Sequence, residues 1–317
     1  MSAKPYLSAL IPVYNEEENL AKLGEEVSAA LDALGKPYEV ILVDDGSKDR
    51  SYEELLKLVK KYPGFKTLRF ARNAGQTAAM LAGIQHATGE VIVCLDADMQ
   101  NDARDIPKLL AKLDEGYDVV SGWRKDRQDR FLDRKLPSMI ANGMISKVTG
   151  VHLHDYGCTL KLYKAEFLKP LRLYGEMHRF VPALAGFLGA RVAEVPVNHR
   201  ARTAGVSKYG ISRTFKVLLD LMTVKFMDQF LGKPIYLFGG GGVGMGLLGV
   251  AFALQALYKK FYLGIFVKDQ PLFQVSIFCL LIGFQMVLIG LLAEILTRIY
   301  YDLKDMRPYF VRETAGF

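Results

Sequence analysis

The sequence predicts an α/β protein with a doubly wound, mostly parallel sheet, followed by amphipathic interface helices and two transmembrane helices. Three observations carry this prediction. Short apolar runs alternate with helical patterns through the N-terminal part of the chain, as in proteins that build a parallel sheet. Two carboxylates, Asp96 and Asp98, follow the apolar run 91–95, and ligands of open parallel sheets bind where such strands end. Two apolar stretches, 235–258 and 271–295, are each long enough to cross a bilayer as a helix.

The N-terminal elements follow from the spacing of apolar residues along the chain. The predicted strands are 6–12, 38–43, 65–70, 90–95 and 117–121. The helices between them are 17–34, 52–61, 76–87 and 105–115. Because strands and helices alternate, the strands are expected to run parallel and to end at one edge of the sheet.

Polar side chains follow each predicted strand, so one edge of the sheet is expected to carry a ligand site. Singly, each cluster is also explained as a turn or a helix cap; together they indicate a site. The clusters are Pro12-Val13-Tyr14-Asn15-Glu16, Asp44-Asp45-Gly46-Ser47, Arg72-Asn73-Ala74-Gly75, Asp96-Ala97-Asp98 and Gly122-Trp123-Arg124.

A divalent metal ion is predicted at the end of the fourth strand. Alternation along an extended chain points Asp96 and Asp98 the same way, so both carboxylates can bind one ion that bridges a diphosphate. Gln100 can add a third oxygen. Oxygen ligands of this kind suit Mg²⁺ or Mn²⁺.

The two apolar stretches are expected to span a membrane, rather than to form a pair of buried core helices. The first carries no charge, and the second carries only Glu294. Lys and Arg flank both outer ends of the pair, which places the long ends of the chain in the cytoplasm. No cleavable N-terminal signal is recognised, and the three cysteines lack paired spacing, as in a reducing compartment. The expected location is the plasma (inner) membrane, crossed more than once.

Two further patterns concern the membrane. Apolar residues recur at helical spacing between 211 and 226 with basic residues on other faces, which favours a helix lying on anionic lipid over one packed on the domain core. Gly240, Gly242, Gly244 and Gly246 form small-xxx-small pairs, so close helix contact is expected within or between protomers. This pattern also suits a homo-oligomer, such as a tetramer.

Motifs from several parts of the chain together resemble the inverting family 2 glycosyltransferases of GT-A fold, in particular polyprenyl-phosphate glycosyltransferases. Within these, the chain is similar to bactoprenol (undecaprenyl-phosphate) glucosyltransferases and to dolichyl-phosphate mannose synthases. The motifs are Pro12-Val13-Tyr14-Asn15-Glu16-Glu17, Val43-Asp44-Asp45-Gly46-Ser47-Lys48-Asp49, Arg72-Asn73-x-Gly75, Asp96-x-Asp98-x-Gln100, Asp155-Tyr156-Gly157-Cys158-Thr159-Leu160-Lys161, His178-Arg179-Phe180 and Arg202-x-x-Gly205-x-Ser207-Lys208-Tyr209.

The resemblance implies four segments and a role for each group of site residues. The segments are a cytosolic catalytic domain 1–209, an amphipathic helix 210–233, a transmembrane hairpin 234–297 and a cytosolic tail 298–317. The residues implied to bind the nucleotide are Pro12, Tyr14, Glu16, Asp44, Asp45, Arg72 and Asp96. The implied metal ligands are Asp96, Asp98 and Gln100. The implied catalytic residues are Asp155, Arg124, Arg134, Arg202 and Lys208.

The same resemblance implies transfer of a sugar to polyprenyl (undecaprenyl) phosphate at the cytoplasmic membrane face, with inversion. The expected donor is UDP-glucose, and GDP-mannose or a UDP-amino-arabinose type of donor is the alternative. No nucleic acid partner is expected. Asn101-Asp102-Ala103-Arg104 departs from the Asp-Pro-Pro-Glu common in the family, which puts the geometry after the metal site in question. A different class, a membrane anchor that senses nucleotides without catalysis, is disfavoured by the full set of carboxylates.

Overall fold

The computed structural model describes residues 4–125, 142–143, 145–147, 149–173, 175–200, 234–302 and 311–316. The chain divides into two compact units. One comprises Met1–Val224 and Arg307–Phe317, and the other comprises Lys225–Met306. The first unit contains the sheet, and the second contains two long helices.

Within the described residues the sheet has eight strands. They are β1 (Leu7–Val13), β2 (Tyr38–Asp44), β3 (Phe65–Phe70), β4 (Val91–Cys94), β5 (Val119–Trp123), β6 (Lys161–Lys164), β7 (Val192–Pro196) and β8 (Val311–Ala315). The α-helices of this unit are α1 (Leu20–Asp32), α2 (Ser51–Lys61), α3 (Gln76–His86), α4 (Ile106–Asp114), α5 (Ala165–Leu168) and α6 (Val181–Phe187). Short 3-10 turns at Ala103–Asp105 and Met177–Arg179 connect some of them.

The strand order places a crevice beside β1. The order is β7-β5-β6-β4-β1-β2-β3-β8, with β1 parallel to both β2 and β4. The chain moves outward on one side of β1 through β2 and β3, and then crosses to the other side to form β4. Such a switch point leaves a crevice at the carboxyl ends of the two strands, where ligands bind in open α/β sheets.

The sheet confirms the predicted doubly wound, mostly parallel fold and adds three strands that were not predicted. Strand β6 runs antiparallel between β4 and β5, and β7 runs parallel to β5. Because two antiparallel steps separate β4 from β5, these two strands point the same way, and their carboxyl ends share one edge. Strand β8 pairs antiparallel with β3 at the far edge, so part of the predicted C-terminal tail belongs to the sheet.

The central strands are covered on both faces, which is why they are almost wholly apolar. All of β4 is buried, and only Pro12 in β1 is partly exposed. The helices bury one apolar stripe each; α2, for example, buries Leu55 and Leu58 and carries lysines in its last turn, where they complement the helix dipole.

The loop after β2 depends on a glycine. Gly46 has φ +69°, and a Cβ at this position would lie 2.5 Å from the carbonyl carbon of Arg72. No other residue combines this backbone angle with so close an approach. The loops that follow β2 and β3 are thereby held against each other.

The second unit consists of the helices α7 (Pro234–Leu263) and α8 (Pro271–Asp302). The stretches Pro234–Leu263 and Pro271–Leu296 are long and apolar enough to cross a membrane, and only 11% and 22% of their most apolar windows are buried. A pair of soluble core helices would bury far more of this surface. The predicted spans are therefore present as helices, although α7 continues to Leu263 and shortens the connection between them.

Small residues form the contact between α7 and α8. Gly242, Gly249 and Ala256 are buried and recur every seven residues. A Cβ on Gly283 of α8 would lie 2.6 Å from the carbonyl oxygen of Gly242, whereas one on Gly244 would meet nothing within 4 Å. The predicted close contact thus involves part of the glycine run. The amphipathic helix predicted at 210–233 lies outside the described residues.

Candidate active site

The loops that follow β1 and β2 are joined by hydrogen bonds between their backbones and side chains. Asn15 N donates to Ser47 Oγ at 3.0 Å, Lys48 N donates to Asn15 Oδ1 at 2.8 Å, and Glu16 N donates to Ser51 Oγ at 2.8 Å. Asn15 has φ +55°, a conformation that Asn adopts more readily than most residues. Tyr14 and Glu16, two of the predicted nucleotide ligands, are half-buried on this rigid rim of the crevice.

Asp44 and Asp45 are almost fully buried, and each carboxylate accepts a hydrogen bond from at least one backbone N–H group. Asp44 accepts from Ser47 N at 2.9 Å and lies 3.3 Å from Arg69 Nε. Asp45 accepts from Ala74 N at 2.7 Å and from Gly75 N at 3.0 Å. Burial raises the pKa of both carboxyls, against these hydrogen bonds. In this state Asp45 shapes the loop that carries Arg72, which is exposed; direct contact of Asp45 with a nucleoside stays a prediction.

Asp96 and Asp98 follow β4 at the crevice, but strand alternation is not what brings them together. Strand β4 ends at Cys94, and residues 97–98 lie in a turn. After them Met99 has φ +61°, and Asp98 Oδ1 accepts from Gln100 N at 3.1 Å. A methionine in the left-handed region is rare and indicates a constrained turn. Gln76, at the start of α3, donates from Nε2 to Asp96 Oδ1 at 2.9 Å, a contact that the sequence analysis missed.

The electrostatics of Asp96 fit a site for a cation. Burial, and then the neighbouring charge of Asp98, raise the pKa of Asp96 to about 6, against the opposing effects of Thr159, Arg124 and Lys161. A divalent ion would relieve the repulsion between two such carboxylates. Among the described residues, no group of three or more His, Cys, Asp or Glu side chains could hold a metal alone. An ion here would therefore complete its shell with donor phosphate oxygens and water, as Mg²⁺ commonly does.

Arg124, directly after β5, forms a bidentate ion pair with Asp155. Its Nε lies 2.6 Å from Asp155 Oδ2, and its Nη2 lies 3.0 Å from Oδ1. The two side chains are only 14% and 5% exposed. The carboxylate beside it raises the pKa of Arg124 although burial opposes this. Gly157 makes room for the pair, since a Cβ there would lie 3.0 Å from Arg124 Nη2.

A buried lysine supports the loop between Asp155 and β6. Lys161 Nζ donates to the carbonyl oxygens of Tyr156 and Cys158, and burial lowers its pKa. Burial also raises the pKa of Cys94 to about 12 and that of Cys158 to about 11, so both thiols stay protonated at neutral pH. They act as packing residues.

The departure from the family pattern after the metal site has a local explanation. Asp102 accepts from Arg104 N at 3.1 Å and caps the following 3-10 turn. Its carboxylate also pairs with Arg104 at 2.8 Å and with Arg200 at 2.9 Å, which together lower its pKa. Arg200 in turn lies 2.7 Å from Glu26 of α1. This network stabilises the segment after Gln100 without prolines.

The crevice therefore brings together most of the predicted site residues. The ends of β1, β2, β4 and β5 carry Pro12, Tyr14, Glu16, Asp44, Asp45, Asp96, Asp98, Gln100 and Arg124. Asp155 joins them through Arg124. Arg134, Arg202 and Lys208 lie outside the described residues.

Comparison with known proteins decides the family. The model of the family described as glycosyl transferase family 2 matches residues 8–172. This segment contains the residues of the crevice from β1 to Asp155. The chain belongs to glycosyl transferase family 2. It is 43% identical over 311 residues to the dodecaprenyl-phosphate galacturonate synthase of Rhizobium johnstonii, covering 97% of this chain and 92% of the relative. It is 37% identical over 313 residues to the undecaprenyl-phosphate 4-deoxy-4-formamido-L-arabinose transferase of Edwardsiella ictaluri, covering 98% and 94%. These relatives are polyprenyl-phosphate glycosyltransferases, as the motifs indicated.

Solved structures agree on the fold of this family 2 glycosyltransferase. The glucosyl-3-phosphoglycerate synthase of Mycobacterium tuberculosis, in complex with Mn²⁺ and UDP-glucose, matches with a TM-score of 0.55 at 16% identity, covering 71% of this chain and 79% of that one. At this identity the likeness concerns the fold. The apolar helices α7 and α8 and the relatives together indicate membrane association.

Proposed function

We propose that this enzyme transfers a sugar from a nucleotide diphosphate donor to the phosphate of a polyprenol. The observation that carries the proposal is the likeness to two polyprenyl-phosphate transferases over 97% and 98% of the chain. Such a match includes the apolar helices as well as the sheet. It therefore supports the proposed lipid acceptor as well as the proposed nucleotide site in the crevice. It also favours an enzyme over a membrane anchor that senses nucleotides.

For the sugar, we place a uronic acid such as galacturonate first and a 4-deoxy-4-formamido-arabinose second. The support is the names of the two relatives, of which the galacturonate synthase is the more similar. Glucose from UDP-glucose, the sugar expected from the sequence, has no support among these relatives. A UDP donor remains the proposal for all three sugars.

The donor would lie in the crevice between β1 and β4. Pro12, Tyr14 and Glu16 on one side, with the loops shaped by Asp44 and Asp45 and the exposed Arg72, would hold the nucleoside. Asp96, with Asp98 and Gln100, would hold Mg²⁺ or Mn²⁺ beside the diphosphate. A bound ion would neutralise charge that develops on the leaving diphosphate.

The acceptor needs little help to become a nucleophile. A phosphate monoester has its second pKa near about 6, so a polyprenyl phosphate is largely dianionic at neutral pH. One of its oxygens forms a bond to the anomeric carbon while the bond from that carbon to the diphosphate breaks. In-line attack of this kind inverts the anomeric carbon and releases the nucleoside diphosphate.

In this reaction Asp155 orients Arg124 rather than accepting a proton. Both carboxylate oxygens of Asp155 accept from the Arg124 guanidinium, and Oδ1 also accepts from Gly157 N at 3.0 Å. A guanidinium has five N–H donors, so one held in this way can still bind a phosphate. Arg134, Arg202 and Lys208 are proposed to assist at the phosphates.

The chain path supports two crossings of the plasma (inner) membrane. Strand β8 follows α8 and lies in the same sheet as β1–β7, so both ends of the helical hairpin lead back to one domain. If α7 and α8 cross the bilayer, that domain lies on one side and the turn 264–270 on the other. The surplus of Lys and Arg near the outer helix ends favours a cytoplasmic domain.

The test is to incubate membranes that contain the protein with labelled UDP-galacturonate, UDP-4-deoxy-4-formamido-L-arabinose and UDP-glucose, and to identify lipid products by mass spectrometry. We expect a polyprenyl-phosphate sugar that retains the lipid phosphate, formed with one of the first two donors. A product with glucose alone would overturn the proposed sugar. Hydrolysis of every donor without a lipid product would overturn the proposed acceptor.

A further inference from the structure

Glu194 lies outside the motifs that indicate the family, yet its carboxylate is hydrogen-bonded to the segment that bears Asp155. It is on β7, opposite Ser121 of β5 in the strand register. Its Oε1 accepts from Asp155 N at 2.9 Å, and its Oε2 accepts from His154 N at 3.0 Å. The same Oε2 lies 2.8 Å from His154 Nδ1. The Glu194 side chain is 9% exposed.

These three contacts fix the conformation of the segment that bears Asp155. An ionised carboxylate only accepts hydrogen bonds, so His154 must carry its proton on Nδ1. Both successive backbone N–H groups and the imidazole are then directed at one carboxylate. Rotation of the peptide between His154 and Asp155 would break the bond from Asp155 N to Glu194 Oε1, while the two contacts of His154 hold the preceding residue in place.

The segment is paired with the end of β5 in two adjacent contacts. The Trp123 ring stacks on the His154 ring, with centroids 4.3 Å apart and planes inclined by 17°. The next residue of each segment forms the other contact, the bidentate pair of Arg124 with Asp155. Because the two contacts share one backbone on each side, a shift of His154 must also move Asp155 relative to Arg124.

Burial of a carboxylate costs desolvation free energy, which several hydrogen-bond donors must offset. At this position the carboxylate supplies what an apolar side chain cannot, namely acceptors for two adjacent N–H groups and an imidazole. The contacts of Glu194 thus act on the geometry of Arg124 and Asp155 and make no use of the crevice itself.

We propose that Glu194 is a positioning residue that holds Asp155, and through it Arg124, in the geometry needed for transfer. This inference rests on the proposed function, in which Arg124 and Asp155 act on the acceptor. We therefore expect Glu194 to affect turnover. We expect no effect of Glu194 on binding of the nucleotide sugar, because the proposed donor site is at β1 and β4. A displacement of about 1 Å at a reacting centre can cost about 100-fold in rate.

The experiment compares the variants Glu194→Gln and Glu194→Ala with the unsubstituted enzyme. The amide keeps one acceptor oxygen but sets an NH₂ group against a second N–H donor, whereas alanine removes both acceptors. We expect kcat to fall about 10-fold for Glu194→Gln and about 100-fold for Glu194→Ala, with KM for the nucleotide sugar within about twofold of the wild type. If the alanine variant does not fold, the glutamine variant carries the test.

Trp123 supplies a readout that does not depend on activity, because it is the only tryptophan in the chain. In the free protein, loss of the His154 stack is expected to shift the emission to longer wavelength and to increase quenching by acrylamide. His154→Ala should reproduce this shift and so identify the signal. Glu115→Gln is the matched control, since Glu115 is an exposed carboxylate paired with Lys112 at 2.5 Å; it should change neither emission nor kcat.

Emission that stays unchanged in both Glu194 variants would overturn the inference, as would a raised KM with unchanged kcat. Failure of the proposed function is detected separately with Asp155→Asn. If that variant keeps its kcat, the role assigned to Asp155 is wrong whatever the Glu194 variants do. If Asp155→Asn loses activity while the Glu194 variants keep theirs, Asp155 acts in transfer and the role proposed for Glu194 is wrong.

Discussion

Replacement of Asp155 by Asn distinguishes a carboxylate that orients Arg124 from one that removes a proton. The pair is bidentate, at 2.6 Å and 3.0 Å, and its side chains are 14% and 5% exposed. Removal of one partner from a buried ion pair costs about 3–5 kcal/mol. Because asparagine keeps one oxygen acceptor, we expect the lower end of this range. For a domain of this size, about 3 kcal/mol lowers Tm by roughly 6–12 °C.

The activity of the same variant should fall by about 100-fold, and this factor should stay nearly constant between pH 6 and pH 9 because orientation does not titrate. The assay is initial-rate lipid glycosylation across that range, with Tm measured in parallel. Asp118→Asn is the matched control: Asp118 pairs with Lys164 at 2.7 Å before the start of β5, so its loss should lower Tm but leave kcat unchanged. A loss in Asp155→Asn that shrinks steadily as the pH rises would refute the orienting role.

Three other predictions concern the metal site and the membrane. The pKa of Asp96 is raised from 3.8 to about 6, so its charge destabilises the metal-free fold fully above about pH 6 and not below about pH 4. In EDTA, Asp96→Asn should therefore increase the free energy of unfolding at pH 7.5 by up to about 3 kcal/mol and so raise Tm, but it should leave Tm unchanged at pH 4. A lower Tm at pH 7.5 would contradict this. Gly283→Leu should shorten the half-life of the enzyme in detergent, because a Cβ there meets Gly242 O at 2.6 Å, whereas Gly244→Leu should be tolerated; equal losses would argue against the glycine contact. A cysteine placed at Phe266 in a cysteine-free background should react with an impermeant thiol reagent from outside intact bacteria, and labelling only after lysis would reverse the topology.

The central fold could be predicted because its strands are buried on both faces and its helices on one. Strand β3 has the predicted bounds, and β5 lies two residues later than expected. The strands that were missed carry weaker signals. Strand β6 begins and ends with lysine, and the side chain of Lys161 is buried only because backbone carbonyls receive it. Strand β8 is a short, polar edge strand, which depends on its partner more than on its own composition.

The location of the site could also be predicted from the sequence, because parallel strands bring their carboxyl ends to one edge. The contacts within the site could not be predicted. The metal carboxylates were expected to converge by strand alternation, but β4 ends at Cys94 and the chain turns at residues 97–98. The partner of Arg124 lies 31 residues away, and the contact of Glu194 with Asp155 spans 39 residues. Such pairings follow from the packing of β5, β6 and β7, which no local pattern specifies.

The central claim is that the crevice beside β1 transfers a sugar to a lipid phosphate with the help of a divalent ion. Purified enzyme, labelled UDP-galacturonate and either polyprenyl phosphate or the free polyprenol provide the most direct measurement. The account predicts solvent-extractable label only with polyprenyl phosphate, its loss in EDTA, and its return when Mg²⁺ or Mn²⁺ is added in excess of the chelator. Label that enters the free polyprenol equally well, or transfer that continues undiminished in EDTA, would contradict it.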